Sequence, residues 1–179
     1  MLKKCALSVL VLALLSGCGS TPAPVSTISY KPPLDCNETN VLAALPSELT
    51  NAIYIPAQWQ PADGTDLKVI LDGGGIACTY GVQQAEIGTT VSWVKDMSGL
   101  FDSRIAGWKG QGFEETSLPG VTADRIFVIT AAAMNAREIH SWSANILVKG
   151  NWIQVSASYV YKNSEATQLV NAAISSLRS

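Results

Sequence analysis

The sequence predicts an α+β fold built on a mainly antiparallel sheet, with helices packed on one face and a helix at the C-terminus. Three observations support this class. Apolar residues alternate with polar ones around short turns in residues 77–95 and again in residues 138–161, which is the pattern of β-hairpins. Residues 164–177 instead carry apolar side chains at the spacing of an amphipathic helix.

The last hairpin has the clearest pattern. Gly150 and Asn151 have the chemistry of a two-residue turn, and a turn there pairs Val148 with Ile153. One face of this hairpin is then apolar, while the opposite face, which includes Trp152, is largely polar. The pattern therefore predicts a core face and a wet face. It argues against a register slip of one residue, because such a slip would exchange the two faces.

The other elements follow from shorter signals in the chain. The first hairpin, with a loop at residues 85–88, places Tyr80 opposite Trp93. Trp93, Trp108 and Trp142 fall on apolar stripes and are predicted to lie in the core. The remaining predicted elements are a short helix from Asn37 to Leu45, a helix from Ser98 to Lys109, and strands at residues 53–55, 67–71, 113–117 and 125–130.

The N-terminal segment has the organisation of an export signal. Two lysines precede an apolar run at residues 6–15, and the tetrapeptide Leu-Ser-Gly-Cys ends at Cys18. The apolar run is too short to cross a bilayer, which takes about 20 residues. The tetrapeptide resembles the lipobox of bacterial lipoproteins, and the resemblance implies cleavage before Cys18 and a diacylglycerol on its sulfur. An ordinary secretory signal with a chance cysteine is the alternative.

These signals divide the chain into three parts. Residues 1–17 are the predicted signal peptide, and residues 18–33 are a lipidated cysteine followed by a flexible tether rich in Ser, Thr and Pro. Residues 34–179 form one predicted domain. Two acyl chains give stable membrane anchoring where one does not. We therefore expect the domain to be lipid-anchored on the extracytoplasmic side of the cell membrane.

The net charge of the chain argues against some classes of binding partner. The whole chain has 12 basic and 14 acidic residues, and cleavage would remove Lys3 and Lys4 to leave a net charge of −4. A negative domain is a poor match to nucleic acid, which requires a basic face. It also argues against electrostatic docking on anionic lipid. The expected membrane contact is therefore the lipid on Cys18, and no cofactor is predicted.

Four cysteines are present, and two of them belong to the folded domain. Cys5 would leave with the signal and Cys18 would carry lipid, so Cys36 and Cys78 remain as an even pair in an exported domain. We predict a Cys36–Cys78 disulfide. A metal site is the weaker alternative, because a zinc set needs more ligands than two cysteines and a single histidine supply. A buried free pair is the other alternative.

No residue pattern in the chain points to catalysis. His140 is the only histidine and lies at the end of an apolar hairpin face, where a hydrogen-bonded core-edge role is expected. No Gly-x-Ser-x-Gly motif accompanies it. Glu114 and Glu115 are adjacent in sequence, which is too close to flank a substrate bond by themselves. We predict that Glu114 and Glu115 form a solvated pair. For the chain as a whole we predict no catalytic residue and no metal-binding residue.

Two tryptophans are candidates for a binding surface. Trp59 lies in a predicted loop, and Trp152 lies on the wet side of the last hairpin. An exposed indole can anchor a protein partner or a glycan. The alternative for both residues is packing beneath a helix or loop.

The chain is similar to small actinobacterial-type envelope lipoproteins of unknown function, and the resemblance covers most of residues 34–179. The shared features are the lipobox, the tether, a cysteine before a short helix, the strand motif Cys78-Thr79-Tyr80 and a final helix on a hairpin. The arrangement also resembles the Mog1/PsbP-like fold. We expect a non-enzymatic binding or accessory domain for an unknown envelope protein or small ligand. The alternatives are an envelope hydrolase with an acidic site assembled by folding, and a structural component of a larger complex.

Overall fold

The computed structural model describes residues 29–56, 60–85, 87–131 and 141–179. The strands are β1 (Ile53–Ile55), β2 (Ile76–Val82), β3 (Ile87–Lys95), β4 (Glu114–Glu115), β5 (Arg125–Ala131), β6 (Ser141–Val148) and β7 (Asn151–Ala157). The α-helices are α1 (Asp66–Asp72), α2 (Leu100–Gly110) and α3 (Thr167–Ser175). In the described part of the chain the strands form one antiparallel sheet in the order β1-β2-β3-β7-β6-β5-β4. The predicted α+β class, with its antiparallel sheet and C-terminal helix, is confirmed.

One face of the sheet, here called the core face, carries α3. Leu169 and Val170 of α3 pack in the same buried cluster as Ile153 of β7. Trp93 of β3 is fully buried beneath the helix, and its indole Nε1 donates a hydrogen bond of 2.9 Å to the Ala173 carbonyl. The amphipathic pattern of the C-terminal segment therefore predicted both the helix and the face that it buries.

The opposite face of the sheet, here called the second face, is covered at one end by α1 and α2. Ile70 of α1 and Phe101 and Trp108 of α2 form a second buried cluster with Val94 and Trp152 of the sheet. The expectation that the helices share one face is corrected here. Val94 pairs with Trp152 across β3 and β7, so the second face has an apolar area of its own that needs cover.

The last hairpin forms, but its register differs from the predicted one. The turn residues are Lys149 and Gly150, both with positive φ, of 52° and 66°. This is the combination that a two-residue turn between twisted strands requires. Ile153 consequently pairs with Ile146 rather than with Val148. The displacement is two residues, so every side chain stays on its predicted face.

The first hairpin shows the same kind of displacement. Tyr80 lies opposite Thr89 instead of Trp93. β2 ends at Val82 and β3 begins at Ile87, so the connection, which begins with a 3₁₀ turn at Gln83–Ala85, lies two residues earlier in the chain than predicted. Tyr80 and Trp93 still belong to the core face. Side-chain periodicity thus determined the faces, while the turn determined the pairing.

The prediction of a strand at residues 67–71 is wrong, because this stretch belongs to α1. The hydroxyl of Thr65 accepts a hydrogen bond of 3.3 Å from the Lys68 amide, which caps the helix. Lys68 also forms an ion pair with Asp72 one turn further along. These local signals outweigh the β-propensity of Val and Ile in a short apolar run.

The helix predicted from Asn37 to Leu45 is replaced by two 3₁₀ turns, Cys36–Glu38 and Leu42–Ala44. Asp35 is the capping residue, and its carboxylate accepts a hydrogen bond of 2.8 Å from the Asn37 amide. The chain can therefore bend between the two turns, and the first of them brings Cys36 against the sheet.

The described chain packs on the domain ahead of the predicted boundary at Leu34. Tyr30 contacts the core cluster, and Lys31 forms an antiparallel bridge with Arg178 through backbone hydrogen bonds of 2.8 and 2.9 Å. The two ends of the described chain are thus fastened to each other. None of the helices among the described residues has the length and apolar character needed to cross a bilayer.

Candidate functional site

The candidate site lies on the part of the second face that α1 and α2 leave uncovered. Four side chains with hydroxyl groups stand next to one another there, one from each of four neighbouring strands. Thr79 pairs with Thr90, Thr90 with Ser156, and Ser156 with Ser143. All four residues are half-buried. We call this set the hydroxyl row.

The hydroxyls of the row are joined in two pairs. The Oγ1 atoms of Thr79 and Thr90 are 3.0 Å apart, and the Oγ atoms of Ser143 and Ser156 are 2.8 Å apart. A hydroxyl has one donor and two acceptor positions, so each pair uses only part of its hydrogen-bonding capacity. The row therefore retains both donors and acceptors for a bound molecule.

A cavity of about 390 Å³ is lined by three members of the row, Thr79, Thr90 and Ser156. Its wall combines hydroxyls of the row with those of Ser141 and Ser158, and its rim carries the apolar side chains of Ile55, Val82 and Ile87. None of the described residues that line it is charged. The cavity thus offers uncharged hydrogen-bonding groups beside apolar contacts, which is the usual composition of a small-molecule site.

Two glycines keep β2 and β3 close together at the edge of this cavity. Gly81 and Gly88 face each other across the strands. A Cβ at Gly81 would clash with the Ile87 carbonyl oxygen, and a Cβ at Gly88 would clash with the Tyr80 carbonyl oxygen. Any larger residue at either position would separate the strands and displace the adjacent row.

A second cavity, of about 620 Å³, adjoins the first and shares Thr90 and Ser156 with it. Its remaining lining is more polar and includes Asp66, Arg104 and Gln154. Because the two cavities share residues, we treat them as one feature, the sheet groove. The groove runs from the hydroxyl row toward α1 and α2.

Asp66 organises the second cavity. Its carboxylate accepts hydrogen bonds from Arg104 Nε at 2.7 Å, Trp108 Nε1 at 2.6 Å and Gln154 Nε2 at 3.3 Å. Only 10% of its side chain is exposed. A further bond of 2.8 Å joins the Arg104 guanidinium to the Gly64 carbonyl. The carboxylate is thus held by three donors, and it positions Gln154 at the groove wall.

Trp152 does not form a binding surface, and the alternative of packing beneath a helix is confirmed for it. The side chain is 0% exposed and contacts Trp108 with ring centroids 5.4 Å apart. Its Nε1 donates a hydrogen bond of 2.9 Å to Asn145 Oδ1 within the sheet. The wet face was assigned correctly as the face opposite the core, but α2 covers this part of it. Trp59, the other predicted binding residue, lies outside the described residues, as do Cys18 and His140.

The Cys36–Cys78 disulfide is confirmed, with the two Cα atoms 5.5 Å apart. It fastens the first 3₁₀ turn to β2 on the core face, away from the sheet groove. Tyr80 adds a second connection, because its hydroxyl donates a hydrogen bond of 2.7 Å to the Cys36 carbonyl. Burial raises the pKa of Tyr80, so its hydroxyl stays protonated as a donor.

Glu114 and Glu115 form the short edge strand β4 and are both exposed. They pair with successive residues of β5 and so point to opposite faces. Glu115 binds Arg125 through two hydrogen bonds of 2.7 and 3.1 Å, and this contact lowers the pKa of the Glu115 carboxyl. The structure does not bring the two carboxylates together at a common site.

Neither the hydroxyl row nor Asp66 was predicted from the sequence as part of a site. A signal for the row was present, because polar residues recur at every second position of β6 and β7, as expected for one face of a sheet. These residues are Ser141, Ser143, Asn145, Gln154, Ser156 and Ser158. The signal for Asp66 was hidden, since its three donors come from distant parts of the chain.

The fold and the groove together define an α+β domain whose sheet is covered on one face and half-covered on the other. The described part of the chain holds no group of three His, Cys, Asp or Glu side chains placed to bind a metal ion. Comparison with models of known protein families, with curated proteins and with solved structures finds no match to this chain. Its function is therefore argued from the groove and from the N-terminal sequence.

Proposed function

We propose that this protein is a lipid-anchored binding domain of the cell envelope, and that its sheet groove holds an uncharged, hydroxyl-rich ligand of the glycan class. The anchor is inferred from the N-terminal sequence that ends at Cys18. The hydroxyl row is the observation that carries the choice of ligand. The four adjacent strands that carry these hydroxyls are spaced by about 4.8 Å.

The chemistry of the groove suits a glycan for three reasons. Hydroxyls of the row can donate to and accept from sugar hydroxyls. The rim residues Ile55, Val82 and Ile87 can contact the apolar C–H faces of sugar rings. In the second cavity, Gln111 and Gln154 supply amide groups that match acetamido substituents. The first cavity also falls within the range of about 300–1,000 Å³ that is usual for small-molecule sites.

The hydrogen bonds already formed by the polar side chains of the groove favour binding over hydrolysis. The hydroxyls of the row bond to one another, and Asp66 is occupied by three donors. A glycoside hydrolase ordinarily needs two carboxyl groups on either side of the scissile bond. Among the described residues of the groove wall, the other acidic side chain is that of Asp63, which is exposed. The envelope hydrolase is kept as the alternative that the same experiment tests.

The test uses the full lipidated protein in detergent micelles and a neutral probe, the linear tetramer of N-acetylglucosamine. Titration calorimetry measures binding to the wild type and to the double variant Thr90→Val/Ser156→Ala. Both changes keep the side chains close to their original size and remove hydroxyls from the row. We expect the variant to bind about thirtyfold more weakly, since the two lost hydrogen bonds contribute about 1 kcal/mol each.

The matched control is Thr122→Val, because Thr122 is exposed and lies outside the groove. This variant should bind the tetramer like the wild type. Equal binding by the wild type and the double variant, or no binding by either, would contradict the groove proposal. Chromatography of the probe after incubation tests the alternative, since shortening of the tetramer would favour a hydrolase.

A further inference from the structure

Four basic side chains surround the point at which the described chain enters the domain. Tyr30 is at the centre of this group. The Nζ atom of Lys149 lies 4.0 Å from the centroid of the Tyr30 ring, and Lys95 Nζ donates a hydrogen bond of 3.2 Å to the Tyr30 carbonyl. Lys31 follows Tyr30 directly and bridges to Arg178. We call Lys31, Lys95, Lys149 and Arg178 the basic collar.

A cavity of about 380 Å³ opens between members of the collar. Lys31, Lys95 and Arg178 contribute to its wall. Arg178 is held in place there by a hydrogen bond of 2.9 Å from its Nε to the Pro32 carbonyl. The cavity can accept an anionic group of moderate size, because three cations from separate parts of the chain converge on it.

The collar runs against the charge of the chain as a whole, which is −4 once the signal is removed. Elsewhere in the described residues, Lys68, Arg104 and Arg125 form ion pairs. No ion pair between described residues involves a member of the collar. Two acids lie close by, Asp96 and Asp124, whose amides donate to the Gly150 and Leu147 carbonyls.

Asp96 is already engaged by α2. Its carboxylate accepts a hydrogen bond of 2.9 Å from the Phe101 amide at the start of that helix. Asp96 therefore does not neutralise the collar through an ion pair. Two large apolar side chains are also exposed at this end of the domain. Leu34, which lines the cavity, is 72% exposed, and Met97, whose amide donates to the Lys95 carbonyl, is 70% exposed.

We propose that the basic collar rests on anionic lipid headgroups of the membrane that holds the anchor, with a headgroup phosphate in the collar cavity. This inference rests on the proposed lipid at Cys18. As an unstructured chain, the stretch from Cys18 to Tyr30 would span roughly 20 Å, so the collar is the part of the domain kept nearest the bilayer. Basic groups so close to an anionic leaflet are attracted to it, and the exposed apolar side chains can enter the interface.

The experiment compares lysine accessibility on two membranes. The full lipidated protein is reconstituted into vesicles of phosphatidylcholine alone, or of equal parts phosphatidylcholine and phosphatidylglycerol, and its lysines are acetylated and quantified by mass spectrometry. We expect slower labelling of Lys31, Lys95 and Lys149 on the anionic vesicles and restoration by high salt. Lys109 and Lys162, which are exposed and outside the collar, should be labelled equally on both membranes.

Variants test the charge directly. Lys149→Asn keeps a residue that tolerates the left-handed backbone of this turn, and Lys31→Gln removes a second charge. Each should reduce the protection of the remaining collar lysines about fivefold, while the control Lys162→Gln should leave it unchanged. Equal labelling of the collar on both kinds of vesicle would overturn the collar proposal. The intact mass of the protein shows separately whether Cys18 carries lipid. A chain without this lipid would contradict the proposed lipid anchor, but it would not contradict the attraction between the collar and anionic lipid.

Discussion

At the scale of single residues, Asp66 and Asp72 show how burial decides the importance of an ion pair. Both belong to α1, and each is paired with a cation. Asp66 is nearly buried and also receives Trp108 Nε1, so its carboxylate replaces water for several donors at once. Asp72 is largely exposed and binds only Lys68 in the described structure. Exposed pairs contribute little, because water and salt screen them.

This difference gives a prediction for two matched substitutions. Asp66→Asn should lower the free energy of unfolding by about 2–4 kcal/mol, because an amide offers one acceptor and turns its NH₂ group toward existing donors. Asp72→Asn should leave the denaturation midpoint unchanged. Urea unfolding followed by tryptophan fluorescence measures both. A similar loss for the two variants would show that α1 itself, and not the buried carboxylate, is sensitive to the change.

Trp152 shows what could be predicted about a single residue and what could not. Strict alternation along β7 correctly placed it on the face opposite the core. Its burial depends on Phe101 and Trp108, which belong to a helix between two other strands. The pattern within a helix shows that it has an apolar stripe, but not which face of the sheet that stripe will cover. The burial of Trp152 could therefore not be predicted from the sequence pattern of β7 alone.

At the scale of elements, the disulfide joins a weak element to a strong one. The 3₁₀ turn that contains Cys36 has a single helical turn of hydrogen bonding, whereas β2 is paired on both sides over part of its length. The crosslink encloses a loop with a sequence separation of 42 residues. The disulfide lowers the conformational entropy of the unfolded chain, because it keeps the ends of this loop together. The crosslink therefore favours the folded state.

The double variant Cys36→Ala/Cys78→Ala should be less stable by about 2–5 kcal/mol, which lowers the Tm by roughly 10 °C. Thermal unfolding followed by circular dichroism tests this. Reductant should lower the Tm of the wild type by a similar amount and have no effect on the double variant. A wild-type Tm that is insensitive to reductant, together with free thiols at both positions, would contradict the crosslink.

The hydroxyl row explains why the site was harder to predict than the fold. Its members share a face because of side-chain alternation, which the sequence displays. They share a row because of three strand pairings, and both hairpin registers differed from those predicted by an even number of residues. The position of each turn in the sequence determines such offsets, and in β6–β7 it depends on Lys149 taking a positive φ, which is unusual for lysine.

At the scale of the whole molecule, the distribution of charge matters more than its sum. The net charge argues against a broad basic face. It does not reveal that Lys31, Lys95, Lys149 and Arg178 gather at one end, because they come from four separate parts of the chain. Only the fold brings them together. The composition of an acidic protein can thus conceal a local basic surface.

The proposed anchor predicts where the protein is found in cells. Cys18→Ser should move the protein from the membrane fraction to the soluble fraction, because the acyl chains supply most of the membrane affinity. Immunoblotting of the separated fractions measures this. Cys5→Ser, which changes the cysteine within the predicted signal, is the matched control and should remain with the membrane. Full retention of Cys18→Ser would contradict the lipid anchor.

The strands β3 and β7 also determine the distance between the hydroxyl row and the point where the described chain enters the domain. Lys95 and Asn151 both donate to the Tyr30 carbonyl at one end of these strands, while Thr90 and Ser156 of the hydroxyl row lie further along them. Five residues of extended chain separate each pair, a distance of about 17 Å. A molecule in the groove is therefore held that far beyond the point where the chain enters the domain, whatever the reach of the tether. The protein would meet its ligand in a layer above the bilayer surface, with a clearance determined by strand length.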